Sequence, residues 1–216
     1  EQIISNHPKV FGADELEFFP RLLKENINEN DLQKLDKETF RKIGENYITK
    51  IKKISKDSEK VTDKLPTNFL SIGFIKLILP KSKILHCHRN PKDNCFSLFK
   101  NHFASGKVNF SYDLDEIVQY YKLYEDLMNF WNNLIPNFIH DIRYENLISN
   151  TKNEIEKMLK YCDLEWNDNC LNFQNNTRPI KTASDIQARN KIYKTSINSW
   201  KNYQKDLNLP FKKLGN

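Results

Sequence analysis

The stretch ILHCHRNPKDNCFSLF, from Ile84 to Phe99, limits the possible folds of this chain more than any other segment. The run Lys83 to His88 is short and bounded by a turn signal, so it reads as a strand. It stops at Arg89, and Asn-Pro follows at once. Asn90 suits an N-cap, Pro91 the first helical position, and Asp93 completes a capping-box-like pattern. A strand that passes through a single turn into an amphipathic helix is half of a βαβ unit. Such units pair strands in parallel.

The same alternation recurs along the chain. EQIISNHP reads as a helix tail stopped near Pro8, and VFGADELEFFPRLL as a loop leading into a short helix. Asp36 to Ser55 carries Phe40, Ile43, Tyr47, Ile51 and Ile54 at helical spacing, with basic residues between them. KVTDKLP is a short strand and turn, and Phe69 to Leu79 a buried helix stopped by Pro80. Asp113 to Leu134 is the longest amphipathic helix, with a core stripe of Leu114, Ile117, Tyr121, Tyr124, Met128 and Trp131 and a capping pair of Asp113 and Glu116. NFIHDIRYENL predicts a strand and then a turn into a helix. Thr151 and Glu154 form a capping box ahead of Ile155, Met158 and Leu159. From Asp163 the chain is loop-rich until Ile192, where a last helix carries Trp200 and Tyr203. Strands alternating with helices predict an α/β layer fold with a parallel sheet. No repeat or linker interrupts it, so residues 1–216 are expected to be one domain.

Composition narrows the functional classes. The 14 Phe and 9 Tyr supply bulky core material to a chain in which 29% of residues are charged. The net charge of +6 fits either an anionic partner or a lysine-rich solvated surface. The four cysteines form no C-x-x-C pair, which argues against a disulfide framework and favours a reducing compartment. His86 and His88 share a strand face with Cys87 opposite, and no other His or Cys stands at zinc spacing, so no metal is expected. Phe69 to Leu79 contains Lys76 and is too short to span a bilayer. No signal peptide is visible, and a cytoplasmic location is expected. The chain does not start with Met and opens in mid-helix, which reads as a fragment.

Arg89 sits where ligands bind in open α/β sheets, off the carboxyl end of a strand. The helix after it presents backbone N–H groups and a positive dipole end, and Ser97 lies near the end of its second turn. A guanidinium fork and a hydroxyl at that spacing suit a monophosphate. The alternative is that Arg89 pairs with a neighbouring carboxylate and Ser97 is a small packing residue.

KILHCHRNPKDNCFSLFKNHF resembles the 3′-phosphate-binding segment of sulfotransferases that use 3′-phosphoadenosine-5′-phosphosulfate (PAPS). In the order of that family, NHPKVFGADELEFFPRLL resembles the segment after its phosphosulfate loop, and VTDKLPTNFLSIGFIKLILP the strand and helix before the arginine strand. IRYENLISN and LEWND resemble the next landmarks, and TASDIQARNKIYKTSINSWKNY the C-terminal cofactor loop and helix. The likeness covers nearly the whole chain and is nearest to bacterial sulfotransferases linked to tetratricopeptide repeats and to tyrosylprotein sulfotransferases. It implies a P-loop-NTPase-like three-layer fold with a central, mainly parallel sheet, truncated at the N-terminus. The family's first strand and its glycine-rich loop, roughly P-R-S-G-T-T, are absent from these residues and would lie just before Glu1. The isolated piece is therefore expected to be inactive. The R-K-G-x-x-G-D-W-like segment of small-molecule sulfotransferases is also missing, with QARNKIYKTSINSW in its place.

The resemblance implies roles residue by residue. Arg89 and Ser97 hold the 3′-phosphate of PAPS, Tyr144 contacts the cofactor, and Gln187, Arg189 and Lys191 fall in the C-terminal loop whose cations reach the same phosphate. Glu15 is the base for the acceptor hydroxyl, with Asp14 adjacent and able to take the role if the match shifts by one residue. Lys64 meets the bridging oxygen of the leaving group, and Ser184 hydrogen-bonds the reacting group. No metal is required. Protein tyrosine, a saccharide and a small molecule all remain open as acceptors, and an upstream tetratricopeptide-repeat domain is a possible partner. Nucleic acid is not expected as a partner. Two rival readings stand beside this one: a P-loop kinase-like nucleotide-binding enzyme, and a basic, non-enzymatic module binding nucleic acid or sulfated glycan.

Overall fold

The computed structural model describes residues 1–27, 35–55, 58–103, 108–176 and 195–215. In chain order the elements are α1 (Gln2–Ser5), β1 (Val10–Gly12), α2 (Phe18–Asn26), α3 (Lys37–Ser55), β2 (Lys60–Thr62), a 3₁₀-helix (Pro66–Ser71) running into α4 (Ile72–Ile78), β3 (Ile84–His88), α5 (Pro91–Lys100), α6 (Leu114–Leu134), β4 (Ile139–Arg143), α7 (Tyr144–Ser149), α8 (Thr151–Tyr161) and α9 (Gln204–Phe211). Among the described residues the strands form two parallel pairs, β1 with β2 and β3 with β4. This is the expected α/β class. Each pair is joined by a helical crossover, as parallel strands require. The chain divides into two compact units, Glu1–Lys83 with Ile155–Lys191, and Ile84–Glu154 with Ile192–Asn216.

In the first unit α3 packs against both α2 and α4. Ile43, Tyr47 and Ile51 recur every fourth residue and form its buried stripe. The Tyr47 ring meets Phe19 of α2 edge-on, with centroids 6.2 Å apart. Arg41 binds Glu38 and Glu45 on the solvent side of α3, where exposed ion pairs contribute little. Gly44 lies on the inner side, where α3 crosses α4. A Cβ built there would stand 2.1 Å from the Ile78 carbonyl oxygen. His7 is buried: its Nδ1 accepts from the Lys9 N–H at 3.2 Å, and its Nε2 lies 3.2 Å from the Glu165 carbonyl.

In the second unit α6 supplies Ile117, Val118 and Tyr121 to a core shared with Cys95 and Phe96 of α5 and with Trp200, Leu207 and Phe211. The caps predicted at Asn90 and Asp113 form. Asn90 Oδ1 accepts from the backbone of Lys92 and Asp93, and Asp113 Oδ1 from that of Asp115 and Glu116. Thr151, by contrast, is already the first residue of α8, and its hydroxyl donates back to the Leu147 carbonyl at 2.8 Å instead of capping the helix.

Local structure departs from the sequence reading at several points. Val10–Gly12, read as loop, is a strand, because three residues are enough to pair with Lys60–Thr62 and too few to show a period. The helix expected over Phe69 to Leu79 begins as a 3₁₀-helix from Pro66. Trp200 and Tyr203 lie in a 3₁₀-helix, Ser199–Tyr203, and the α-helix proper starts at Gln204. The Asp93 carboxylate points away from its own helix end and binds the C-terminal segment. Cys95, Cys162 and Cys170 are buried and Cys87 exposed, all as free thiols.

Gly44→Ala forces α3 away from the α4 backbone, which is expected to cost on the order of 1–3 kcal/mol. Urea unfolding checks this, and a midpoint unchanged from the parent would show that the crossing can relax.

Candidate active site

The register of β3 on β4 builds the first cluster. His88 is opposite Arg143, so the next residues, Arg89 and Tyr144, leave the two strands side by side. The Arg89 guanidinium lies over the Tyr144 ring, 5.4 Å from its centroid. Both residues meet Ser196. Arg89 Nη2 donates to its carbonyl at 2.8 Å, and the Tyr144 and Ser196 hydroxyls are 2.8 Å apart. Arg89 Nε is buried and makes no hydrogen bond among the described residues. A buried donor in that state calls for an acceptor, and a phosphate oxygen is one.

The turn after Arg89 is tied down from both sides. The Asn90 N–H donates to Glu145 Oε1 at 2.8 Å, and Arg143 Nε to Glu145 Oε2 at 3.2 Å. Burial alone would raise the Glu145 carboxyl, yet these donors hold it below its ordinary value. The helix start has fewer spare N–H groups than its sequence suggests. Pro91 has none, those of Lys92 and Asp93 go to Asn90 Oδ1, and that of Asn94 goes to the Asn90 carbonyl at 2.9 Å. The unused donor capacity at this turn, among the described residues, therefore lies on the Arg89 side chain. Arg89 pairs with the neighbouring Asp93 carboxylate only at long range, Nη2 to Oδ2 at 3.9 Å, beyond hydrogen-bond distance. Ser97 lies one turn beyond Asp93 on the same face of α5 and is half-buried.

Behind Arg89 a polar array lines β3. His86 Nδ1 is 2.6 Å from Asp141 Oδ1, and its Nε2 meets the Tyr124 hydroxyl. The His88 ring stacks on His86 at 5.4 Å. Burial lowers the His88 imidazole below its ordinary value, and His86 and Arg143 push it the same way. Burial pushes the Tyr124 phenol up to about 12. Among the described residues no group of three or more His, Cys, Asp or Glu could hold a metal ion.

The second cluster forms in the same manner at the ends of β1 and β2. Gly12 is opposite Thr62, and the ladder continues past the strands as the Ala13 N–H donates to the Thr62 carbonyl at 3.0 Å and the Lys64 N–H to the Asp14 carbonyl at 2.9 Å. Asp14 has φ 58°, the left-handed conformation, and the chain turns there. Glu15 then meets Lys64 as an ion pair, Nζ to Oε1, with both side chains partly exposed. The residue before Lys64 is Asp63, whose Oδ2 accepts from the Tyr47 hydroxyl at 2.7 Å and whose carboxylate also takes the Leu16 N–H. Burial raises its carboxyl more than these donors lower it.

Of the residues expected from sequence, Arg89 and Tyr144 are brought into contact, and Glu15 with Lys64. Ser97 joins neither contact. Ser184, Gln187, Arg189 and Lys191 lie outside the described residues. Ser196, Glu145 and Asp63 were not anticipated, and Asp93 was expected only as a capping residue. Asp63 and Glu145 directly adjoin Lys64 and Tyr144, which is the signal that could have found them. Nothing local marks Ser196, whose partners are 107 and 52 residues away.

The sequence profile of the sulfotransferase family matches residues 1–168. An uncharacterized protein of Aquifex aeolicus (strain VF5) is 31% identical over 223 residues, covering 96% of this chain and 29% of its own length. The chain thus spans less than a third of that relative. In structure it is similar to the sulfotransferase domain from the curacin biosynthetic pathway, with a TM-score of 0.54 and 15% identity over 99% of this chain and 91% of that one. At that identity the likeness is one of fold. With a family profile extending over most of its length, the chain belongs to the sulfotransferase family.

Proposed function

We propose that the protein transfers a sulfuryl group from PAPS to a hydroxyl acceptor. The observation that carries this reading is Arg89: a strand-end guanidinium stacked on Tyr144, with a buried Nε that lacks an acceptor, in a chain of the sulfotransferase family. Its planar fork and permanent charge suit a phosphate. In this reading Arg89 binds the 3′-phosphate, Ser97 adds a hydroxyl to it, and Gln187, Arg189 and Lys191 reach the same nucleotide. Tyr144 keeps the guanidinium plane fixed and contacts the nucleotide.

PAPS supplies, when bound, a sulfuryl group joined to a nucleotide phosphate that leaves. Glu15 takes the proton of the acceptor hydroxyl. Lys64 places its ammonium at the bridging oxygen, where negative charge develops, and Ser184 hydrogen-bonds the reacting group. The Glu15–Lys64 ion pair supports these two assignments, because it keeps base and cation within one side chain's reach at adjacent strand ends. It also favours Glu15 over Asp14 as the base. A sulfuryl group carries less negative charge than a phosphoryl group, so these cations suffice without a metal. A protein tyrosine, a saccharide and a small molecule remain alternative acceptors. Among the described residues no helix is long and apolar enough to cross a membrane.

Calorimetric titration is expected to show tighter binding of adenosine 3′,5′-bisphosphate than of adenosine 5′-monophosphate. Arg89→Ala should remove about 1.5–3 kcal/mol of that preference, the worth of a hydrogen bond to a charged group. Equal affinity for the two nucleotides in the parent protein would overturn the donor assignment. Glu15→Gln is expected to lower transfer from radiolabelled PAPS by roughly 10²–10⁴-fold in the longest natural form of the protein, with nucleotide binding intact. Unchanged turnover would take Glu15 out of the mechanism and leave Asp14 as the base.

A further inference from the structure

We propose that Asp93 is the positioning residue that docks the segment Ser196–Trp200 beside Arg89 and Tyr144, and thereby sets the selectivity of that site for a 3′-phosphate. The inference rests on the nucleotide reading above and adds a residue to it.

Asp93 is fully buried in the first turn of α5. A buried carboxylate must be compensated, and here the compensation comes from the C-terminal segment. Oδ2 accepts from the Asn198 N–H at 2.6 Å, and Oδ1 from the Ser199 hydroxyl at 3.1 Å and the Trp200 N–H at 3.2 Å. Asn198, whose own N–H is one of the two backbone donors, stands at φ 59° and ψ 20°, and this left-handed turn precedes the Trp200 N–H that meets the same carboxylate. Trp200 then buries its ring against Phe211, with Lys92 over its face.

Two residues before Asn198, Ser196 presents its carbonyl to Arg89 and its hydroxyl to Tyr144. Asp93 thus acts on the phosphate arginine indirectly. Its oxygens are engaged by the segment, so Arg89 is tethered by a neutral carbonyl and stays 3.9 Å from the carboxylate. A guanidinium held in this way keeps its Nε for an anion, whereas a close bidentate carboxylate pair would occupy it.

All three partners of Asp93 are donors, so Asn, its isostere, turns an amide toward at least one of them and leaves that donor unpaired. Asp93→Asn is expected to raise hydrogen exchange at the Asn198 and Trp200 amides. It should weaken adenosine 3′,5′-bisphosphate binding about tenfold while leaving adenosine 5′-monophosphate within about twofold. Ser199→Ala removes one hydroxyl donor at the rim and should shift the same quantities in the same direction by about threefold, which covers the case in which Asp93→Asn does not fold. The inference is overturned if exchange at these amides is unchanged in a folded variant, or if the two nucleotides weaken equally. Should the parent protein fail to discriminate between the nucleotides, the donor reading falls and takes the selectivity claim with it. The exchange measurement still decides whether Asp93 docks the segment.

Discussion

Parallel strand pairing is the constraint on which both side-chain clusters depend. A parallel partner can be reached only through a crossover, so paired strands finish at the same end, and the residues that follow them emerge together. In this protein that geometry acts twice. Gly12 opposite Thr62 delivers Glu15 and Lys64 to each other, and His88 opposite Arg143 delivers Arg89 and Tyr144. These contacts join residues 49 and 55 positions apart in sequence, and neither needs a long loop to reach its partner. A shift of one residue in either register would separate them and turn every strand side chain to the opposite face.

Burial of charge is the second organising element. Arg89, Asp93 and Glu145 are all largely removed from water, and each is answered by groups from elsewhere in its unit. The partners are mostly backbone atoms. Ser196 offers a carbonyl, and Asn90, Asn198 and Trp200 offer N–H groups. Backbone partners cost little side-chain entropy and fix the path of the chain, so these bonds set the course of a segment as well as neutralise a group.

The sequence carried the α/β class, the strand-to-helix turn at Arg89 and the caps at Asn90 and Asp113, because each of these is written in neighbouring residues. It also carried the stripe Ile117, Tyr121 and Met128, which keeps helical period over a long stretch. Features that depend on distant partners were not legible. Val10–Gly12 is a strand only because Lys60–Thr62 lies beside it. Asp93 looked like a capping residue because that role is local, whereas its actual partners are 105 to 107 residues away. Glu15 and Lys64 came from family likeness, since an exposed carboxylate and one lysine among many have no distinguishing pattern of their own. Their ion pair is information that only the fold contains.

The left-handed turn at Asn198 bears on how this segment can vary among relatives. At φ 59° a β-branched or bulky residue is strained, while Gly, Asn and Asp are accommodated. The filter at position 198 is therefore a backbone dihedral rather than a side-chain chemistry. Sequences that look dissimilar there can share the same turn, and a comparison scored on residue similarity alone would count a silent exchange of Asn for Gly as divergence.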